Sequence, residues 1–419
     1  MNKNQIVKEL SVLIDQYYEI QTPINDHKVA LSTTCYDSSE IKKAMQALLS
    51  GWISQGKNVK EFEKSFSKKI GCKYGVATNS GSSANLIAIN AIKMVNKLQA
   101  GDEVIVPAST FPAVSTPIIQ MGLIPVYVDV RRDTLNIDPE EIYNAINSKT
   151  KIIMPVHTLG MPAEMEKIIS IAKGKDLIVF EDCCEAHGAA IHGKYVGSWG
   201  NISTFSFFVA HNITTGEGGM ILTDSEELEK KCRSLREFGR YQRQDGEDEL
   251  YYSDGTLNDY DKRYVFSEIG YNLRMTDICA ALGVEQTKKL DVLNDKRISN
   301  AKYLRNKLNR KFSEYFEFPK IEEGFQHTYY TFSFTLKENC PFSRRELCEE
   351  LEKNNIETRP MMGGCLPDQP GFRNQPGRIH GDLKNSRYIR DNTLFVGIHP
   401  KLNKSQLDYI VSTINKYVK

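Results

Sequence analysis

The 419-residue sequence has no excess of either charge: 54 Lys and Arg against 53 Asp and Glu leave a net +1. Binding driven by a basic face, to nucleic acid or to an anionic membrane, is therefore not expected. No apolar run approaches the ~20 residues needed to span a bilayer. The opening stretch, MNKNQIVKELSVLIDQYYEI, is an interrupted amphipathic pattern with no continuous apolar core and no small-residue cleavage site. It does not read as a signal peptide, and a cytoplasmic location is the expectation. CxxC pairs are missing, and the nine cysteines are odd in number and scattered. That argues against a disulfide framework. Internal repeats and low-complexity tracts are absent too. What remains is an ordinary globular balance, 40% hydrophobic and 26% charged, in a chain long enough for one large domain and a smaller one.

Between about Lys73 and Asp224, short β-branched or aromatic runs alternate with helical patterns. The runs are YGVAT, DEVIVPA, IPVYVDV, KIIMPVH, LIVFED, TFSFF and GMILTD. Alternation of this kind predicts an α/β fold with a mostly parallel sheet covered on both faces. Ligands of such sheets sit outside the carboxyl ends of the strands. A long helical pattern from Arg274 leads out of the large domain. The rest, with the strand YYTFSFTL and two helices, reads as a small α/β domain. The division expected is 1–285, with an N-terminal helical segment, and 286–419, with the connecting helix. The polar stretch from Arg240 to Arg263 reads as a long loop, either functional or partly disordered.

The chemistry-bearing segments fall at strand ends. Asn79-Ser80-Gly81-Ser82-Ser83-Ala84-Asn85 follows a strand and opens a helix, a place suited to phosphate; alone it is also an ordinary Ser/Gly-rich helix cap. Phe111, just after DEVIVPA, can stack on a flat ring or serve as core. Asp182 ends a strongly apolar strand, where an unpaired carboxylate is expensive, so it calls for a cationic partner such as a protonated pyridine nitrogen.

Taken in order, GDEVIVPA-x-TF, EDCCEAHGA, FSFF-x-x-H-NITTGEGG and GYNLRMTDICAALG resemble the DegT/DnrJ/EryC1/StrS family of sugar aminotransferases and their dehydratase relatives. The resemblance runs from about Ser50 to the C-terminus. It implies the fold type I, aspartate-aminotransferase-like architecture and pyridoxal or pyridoxamine 5'-phosphate as cofactor. It further implies that Gly81, Ser82, Ser83 and Ser206 hold the phosphate, that Phe111 stacks on the ring and that Asp182 meets the ring nitrogen. Asn272 would reach the phosphate in a neighbouring subunit, making the protein a homodimer. Glu185 stands where many family aminotransferases have Gln; it either tunes the site or is a surface or hydrogen-bonded carboxylate.

One position departs from the aminotransferase pattern. The residue before NITTGEGG, a cofactor-linking lysine in those enzymes, is His211 here. Imidazole cannot make that link but can accept a proton. The exchange is similar to that of the family's sugar-nucleotide 3-dehydratases. It implies removal of the C3 hydroxyl from a nucleotide-linked 4-keto-6-deoxysugar, with His211 as base, in deoxysugar or polysaccharide biosynthesis. One dehydratase branch carries a [2Fe–2S] cluster on four cysteines. Cys184 matches the first, but the other three positions fall on Gln242, Gln244 and Tyr252. No cluster and no other metal is therefore expected, and L-glutamate is the expected amine donor. Arg240, Arg243, Arg263, His327, Tyr329 and Arg359 are the substrate-contact candidates. The alternatives are an aminotransferase with an atypical site, a reductase-coupled 3-dehydrase, and a non-enzymatic sensor of cofactor or sugar nucleotide.

Overall fold

Each predicted run between Lys73 and Asp224 becomes a strand of one eight-stranded sheet. The computed structural model describes residues 2–20, 24–241 and 250–418. In chain order the strands are β1 (Tyr74–Thr78), β2 (Glu103–Pro107), β3 (Ile124–Val128), β4 (Thr150–Ile153) and β5 (Ile178–Asp182). A short hairpin, β6 (Ala190–Ile191) and β7 (Lys194–Tyr195), precedes β8 (Ile202–Ser206) and β9 (Gly219–Thr223). Across the sheet the order is β1-β9-β8-β5-β4-β2-β3, closed by the short strand Arg378–Ile379. Only β9 runs against its neighbours. The carboxyl ends of β1, β2, β5 and β8 therefore lie along one edge of the sheet, where the candidate residues are.

Burial on both faces explains the composition of these strands. β2 and β9 are buried at every position, so each reads as a continuous apolar run and not as an alternation. The helix α4 (Gly81–Val95) covers one face through Ala84, Ile87, Ala88, Ala91 and Ile92, spaced three and four apart as one helical face requires. Ser80 caps its N-terminus, its Oγ accepting the Ser83 N–H at 3.1 Å. Gly219 opens β9 against this turn: a Cβ there would lie 2.2 Å from the Ser80 carbonyl oxygen, so only glycine permits the approach.

The long helix Asp277–Phe312 has 36 residues and spans about 54 Å. Its first turns pack Ala280 and Val284 on the large-sheet side, and its last pack Ala301, Leu304 and Leu308 into a second core. That core lies on a four-stranded antiparallel sheet ordered Phe316–Glu317, Phe332–Leu336, Thr393–Val396, Thr358–Pro360. Val29 joins it, paired with Ile356. The chain also returns to the large sheet: Arg378, beside β3, makes a two-pronged ion pair with Glu103 at 2.9 and 2.7 Å. The predicted loop from Arg240 to Arg263 contains the short pair Tyr251–Tyr252 and Tyr260–Asp261. Gln242, Arg243 and Gln244 lie outside the described residues. Among the described residues, no helix is long and apolar enough to cross a membrane.

Candidate active site

A cavity of about 380 Å³ opens at the carboxyl edge of the large sheet. Gly81, Ser82, Phe111, Asp182, Glu185, Ser206 and His211 all line it, having come from four separate segments of the sequence. Ser83 stands just behind, its hydroxyl accepting a hydrogen bond from Ser80 at 3.0 Å. Phe111 is half exposed at the mouth. Asp182 forms part of the floor and is buried. Its Oδ2 accepts from Asn85 Nδ2 at 2.9 Å and its Oδ1 from the Cys184 N–H at 3.0 Å. Thr204, in the adjacent strand, donates to Asn85 Oδ1 at 2.5 Å. The carboxylate is thus fixed by a side chain from α4 and by its own following turn, and it has no cation beside it among the described residues.

His211 sits at the tip of the β8–β9 connection. The neck of that loop is pinned: the Phe207 carbonyl accepts from Thr215 N–H and from Thr214 Oγ1, each at 2.9 Å. The imidazole lies between the rings of Tyr330 and His187, with centroids at 5.1 and 5.7 Å. Its Nδ1 is buried and has no partner among the described residues. Burial, and next the Arg297 charge, lower its pKa to about 3, so the ring is neutral at physiological pH, the proton-accepting form. Arg297 is itself buried and reaches only carbonyl oxygens, those of Tyr330 (3.0 Å), Tyr329 (3.4 Å) and His211 (3.5 Å).

Glu185 Oε2 accepts the Leu159 N–H at 2.7 Å. Burial, and to a lesser degree the neighbouring Asp182, raise its pKa to about 7. Cys184 also lines the cavity, and burial holds its thiol well above the usual range.

The substrate candidates fare differently. His327 and Tyr329 do not face the cavity. They stack on each other, centroids 3.8 Å apart, in a separate crevice beside Arg305 and Phe332. The strand begins at Phe332 and not at Tyr329. Tyr329 takes a left-handed backbone, φ 49°, and the next residue, Tyr330, is the one that lines the cavity. Arg359 lies on an edge strand, its guanidinium donating to the Thr358 carbonyl at 2.6 Å, while Met361 and Met362 line the cavity. Arg263 is paired with Asp261 at 2.5 Å on the exposed loop. Arg240 lies over the rings of Tyr264 and Phe266. Asn272 is exposed, bridged to Glu237 through the backbone, away from this chain's own cavity.

Sequence reasoning missed Asn85, Thr158, Glu217 and Tyr330, which line the cavity, and Arg297 behind it. Asn85 lies within the helix-opening segment, but its role depends on β5 and β8 lying side by side. Nothing in the linear sequence marks Arg297, which lies mid-helix more than 80 residues from His211.

The cavity's features fit a phosphate-bearing aromatic cofactor. An N-terminal helical turn of a 15-residue helix faces it. A Cβ on Gly81 would lie 2.5 Å from Ser206 Cβ, so glycine keeps that turn and Ser206 close together. The buried hydroxyls of Ser109, Thr110 and Thr158 have no partner.

Known proteins resemble this chain in sequence and in fold. "Lipopolysaccharide biosynthesis protein RfbH" of Salmonella typhimurium is 36% identical over 100% of this chain and 99% of its own. The "dTDP-4-dehydro-2,6-dideoxy-D-glucose 3-dehydratase" of Saccharopolyspora spinosa is 36% identical over 91% of this chain and 85% of its own. Among solved structures, GDP-4-keto-6-deoxymannose-3-dehydratase with a trapped PLP-glutamate geminal diamine superposes with a TM-score of 0.85 at 32% identity, covering 92% of this chain and 100% of that one. A family model matches residues 34–415, and the chain belongs to the DegT/DnrJ/EryC1/StrS aminotransferase family.

Proposed function

We propose that this protein is a pyridoxal/pyridoxamine-phosphate-dependent 3-dehydratase. It removes the C3 hydroxyl of a nucleotide-linked 4-keto-6-deoxysugar, with L-glutamate as amine donor, in deoxysugar biosynthesis. The observation that carries this reading is His211 at the cavity wall, in a lining that contains no lysine among the described residues. An aminotransferase of this family needs that lysine. A pure sensor has no use for an imidazole with an unpartnered nitrogen in the same cavity as a buried, fixed carboxylate.

In this reading the α4 N-terminus, with Gly81, Ser82, Ser83 and Ser206, holds the cofactor phosphate. Asp182 pairs with the ring nitrogen, Phe111 covers a face of the ring, and Glu185 completes the wall. When bound, the cofactor supplies an electron sink for the carbon next to its amine. His211 takes the proton released there and has no competing partner on Nδ1. Burial keeps the ring neutral, the form in which it can accept that proton. With no lysine in the described lining, no side-chain amine there would capture the cofactor's aldehyde form and compete with glutamate for it.

The route is read as cluster-free. Cys184 has the neighbours of a buried thiol, and Tyr252 hydrogen-bonds Asp254 at 3.2 Å. Residues 1–285 are assigned to the cofactor-binding domain and 286–419 to the smaller one, a division supported by separate apolar cores at the two ends of the long helix, although Val29 crosses to the second core and Arg378–Ile379 returns to the large sheet. A homodimer is supported by the exposed apolar residues Phe208, Phe238, Phe266 and Ile269 on the segments that carry His211 and Asn272. A cytoplasmic site of action suits substrates of this class. Two of the proteins named above act on dTDP- and GDP-linked sugars, so both nucleotides belong among the substrates to be tried. Arg240, Arg263 and Arg359 remain candidates for contacting it, on the exposed surface.

The test is a product assay with pyridoxal phosphate, L-glutamate and a panel of nucleotide 4-keto-6-deoxysugars, without any reductase. The expected product is lighter than its substrate by one oxygen, with glutamate converted to 2-oxoglutarate and ammonia. A 4-amino sugar retaining every oxygen would overturn the reading in favour of transamination.

A further inference from the structure

The cavity must accept a phosphate, yet its lining is acidic. Asp182, Glu185 and Glu217 line it, with neither Lys nor Arg among the described lining residues. Hydrogen-bond donors at a helix N-terminus suit a phosphate, but they do not neutralise three carboxyls. A carboxylate facing an incoming anion in a desolvated space is unfavourable unless one of the groups takes a proton.

We infer that Glu185 is that group: it takes up a proton as the phosphate-bearing cofactor enters, and then donates a hydrogen bond to it. The inference rests on the cofactor assignment above and adds the charge state in which the site closes around it.

Three observations single out Glu185. Asp182 is held by two donors, Asn85 and the Cys184 N–H. Glu185 has one, the Leu159 N–H on Oε2, and among the described residues its Oε1 has none. Second, the groups that face it offer no cation. Asp182 and Cys184 stand in its own turn, Tyr330 approaches from the small domain, and His211 and Glu217 line the same cavity. Arg297 is behind Tyr330 and gives its donors to carbonyls. Third, its single donor is presented by strained backbone. Leu159 adopts φ 54°, ψ 22°, a left-handed conformation uncommon for leucine. Neighbouring bonds hold it there: the Leu159 carbonyl accepts from the Tyr330 N–H at 2.9 Å, the Gly160 carbonyl from the Thr328 N–H at 3.0 Å, and Asn136 Oδ1 from the Thr158 N–H at 2.9 Å. Strain of this kind persists where surrounding structure enforces it. Here it anchors one carboxyl oxygen and leaves the other to the ligand. The raised pKa of Glu185, about 7 before any anion enters, agrees with this direction.

The experiment is calorimetric titration of pyridoxamine 5'-phosphate into cofactor-stripped protein at pH 8, in buffers of different ionisation enthalpy. The wild type is expected to take up about one proton more than Glu185→Gln, whose amide keeps the shape and carries its donor permanently. Between pH 7 and 9 the wild-type Kd should weaken by up to about tenfold per pH unit relative to that of E185Q. Equal proton uptake in the two proteins overturns the inference. So does loss of the excess proton in His211→Asn, which would put it on the imidazole. If E185Q fails to fold, Glu185→Ala carries the same comparison. Failure of the ligand to bind wild type and variants alike overturns the cofactor assignment itself, and the inference with it.

Discussion

Asn85 and Asp182, 97 residues apart, are joined by a 2.9 Å hydrogen bond from the amide to Oδ2, and Thr204 locks the amide from the other side. This arrangement fixes the orientation of Asn85, because its oxygen must accept from the threonine and its nitrogen must donate to the carboxylate. It thereby fixes the carboxylate at the cavity floor. Asn85→Ala would leave buried Asp182 Oδ2 and the Thr204 hydroxyl unsatisfied. The expected loss is about 1–3 kcal/mol of stability, with a Kd for pyridoxamine phosphate weakened at least tenfold. Thr204→Val, which strands only the amide oxygen, should give the smaller change in both. Thermal denaturation and fluorescence titration of the two variants check the order.

His211 separates binding from chemistry. Loss of a positioned proton acceptor lowers rates by about 10²–10⁴, so His211→Asn should lose product formation by at least a hundredfold while its Kd for the cofactor changes by less than about threefold. His211→Lys restores a nucleophilic amine to the cavity. Pyridoxal phosphate followed by borohydride should then add a stable mass to the variant protein and none to the wild type. Intact-protein mass spectrometry reads both outcomes.

The large sheet was legible because its strands are buried on both faces and so stand out as unbroken apolar runs. Seven of the eight strands coincide with runs picked from the sequence; the eighth, Arg378–Ile379, has two residues and no apolar pattern. Gly81, Asp182, Ser206 and His211 were legible because each terminates or follows such a run. His327 and Tyr329 lie outside the cavity because the strand starts at Phe332 and not at the first aromatic of the run. A left-handed turn at Tyr329 delays the strand and exchanges which tyrosine meets the cavity. Arg297 and Asn85 act through tertiary neighbours, and no local pattern carries that information.

Gly81 tests the space beside the phosphate-binding turn. A methyl group there would meet Ser206 Cβ at 2.5 Å and Cys184 Sγ at 3.1 Å. Neither neighbour is a flexible chain end that can swing away. Gly81→Ala is expected to lose about 1–3 kcal/mol through overpacking and to weaken the cofactor Kd more than Ser82→Ala does. Ser206→Gly in the same chain should recover part of the stability and little of the affinity, since Ser206 is assigned to the phosphate as well.

Glu185 also leaves a signature in stability alone, without cofactor. Its carboxyl pKa is raised from an ordinary 4.5 to about 7 in the folded chain. A group whose folded value is raised favours the fold where it is protonated in both states. That advantage is fully present below about pH 4.5 and is lost as pH rises through 7. Above pH 7 the folded protein must hold an ionised, poorly solvated carboxylate that the unfolded chain would leave in water. The interval between the two values corresponds to at most about 3 kcal/mol. Glu185→Gln removes the titration while its side-chain oxygen can still accept the Leu159 N–H. The variant should therefore melt higher than wild type at pH 8, and the gap should narrow steadily from pH 7 to 4.5. Melting curves of both proteins across that range decide the point: a constant gap, or one that widens toward acid, would mean that Glu185 is ionised throughout.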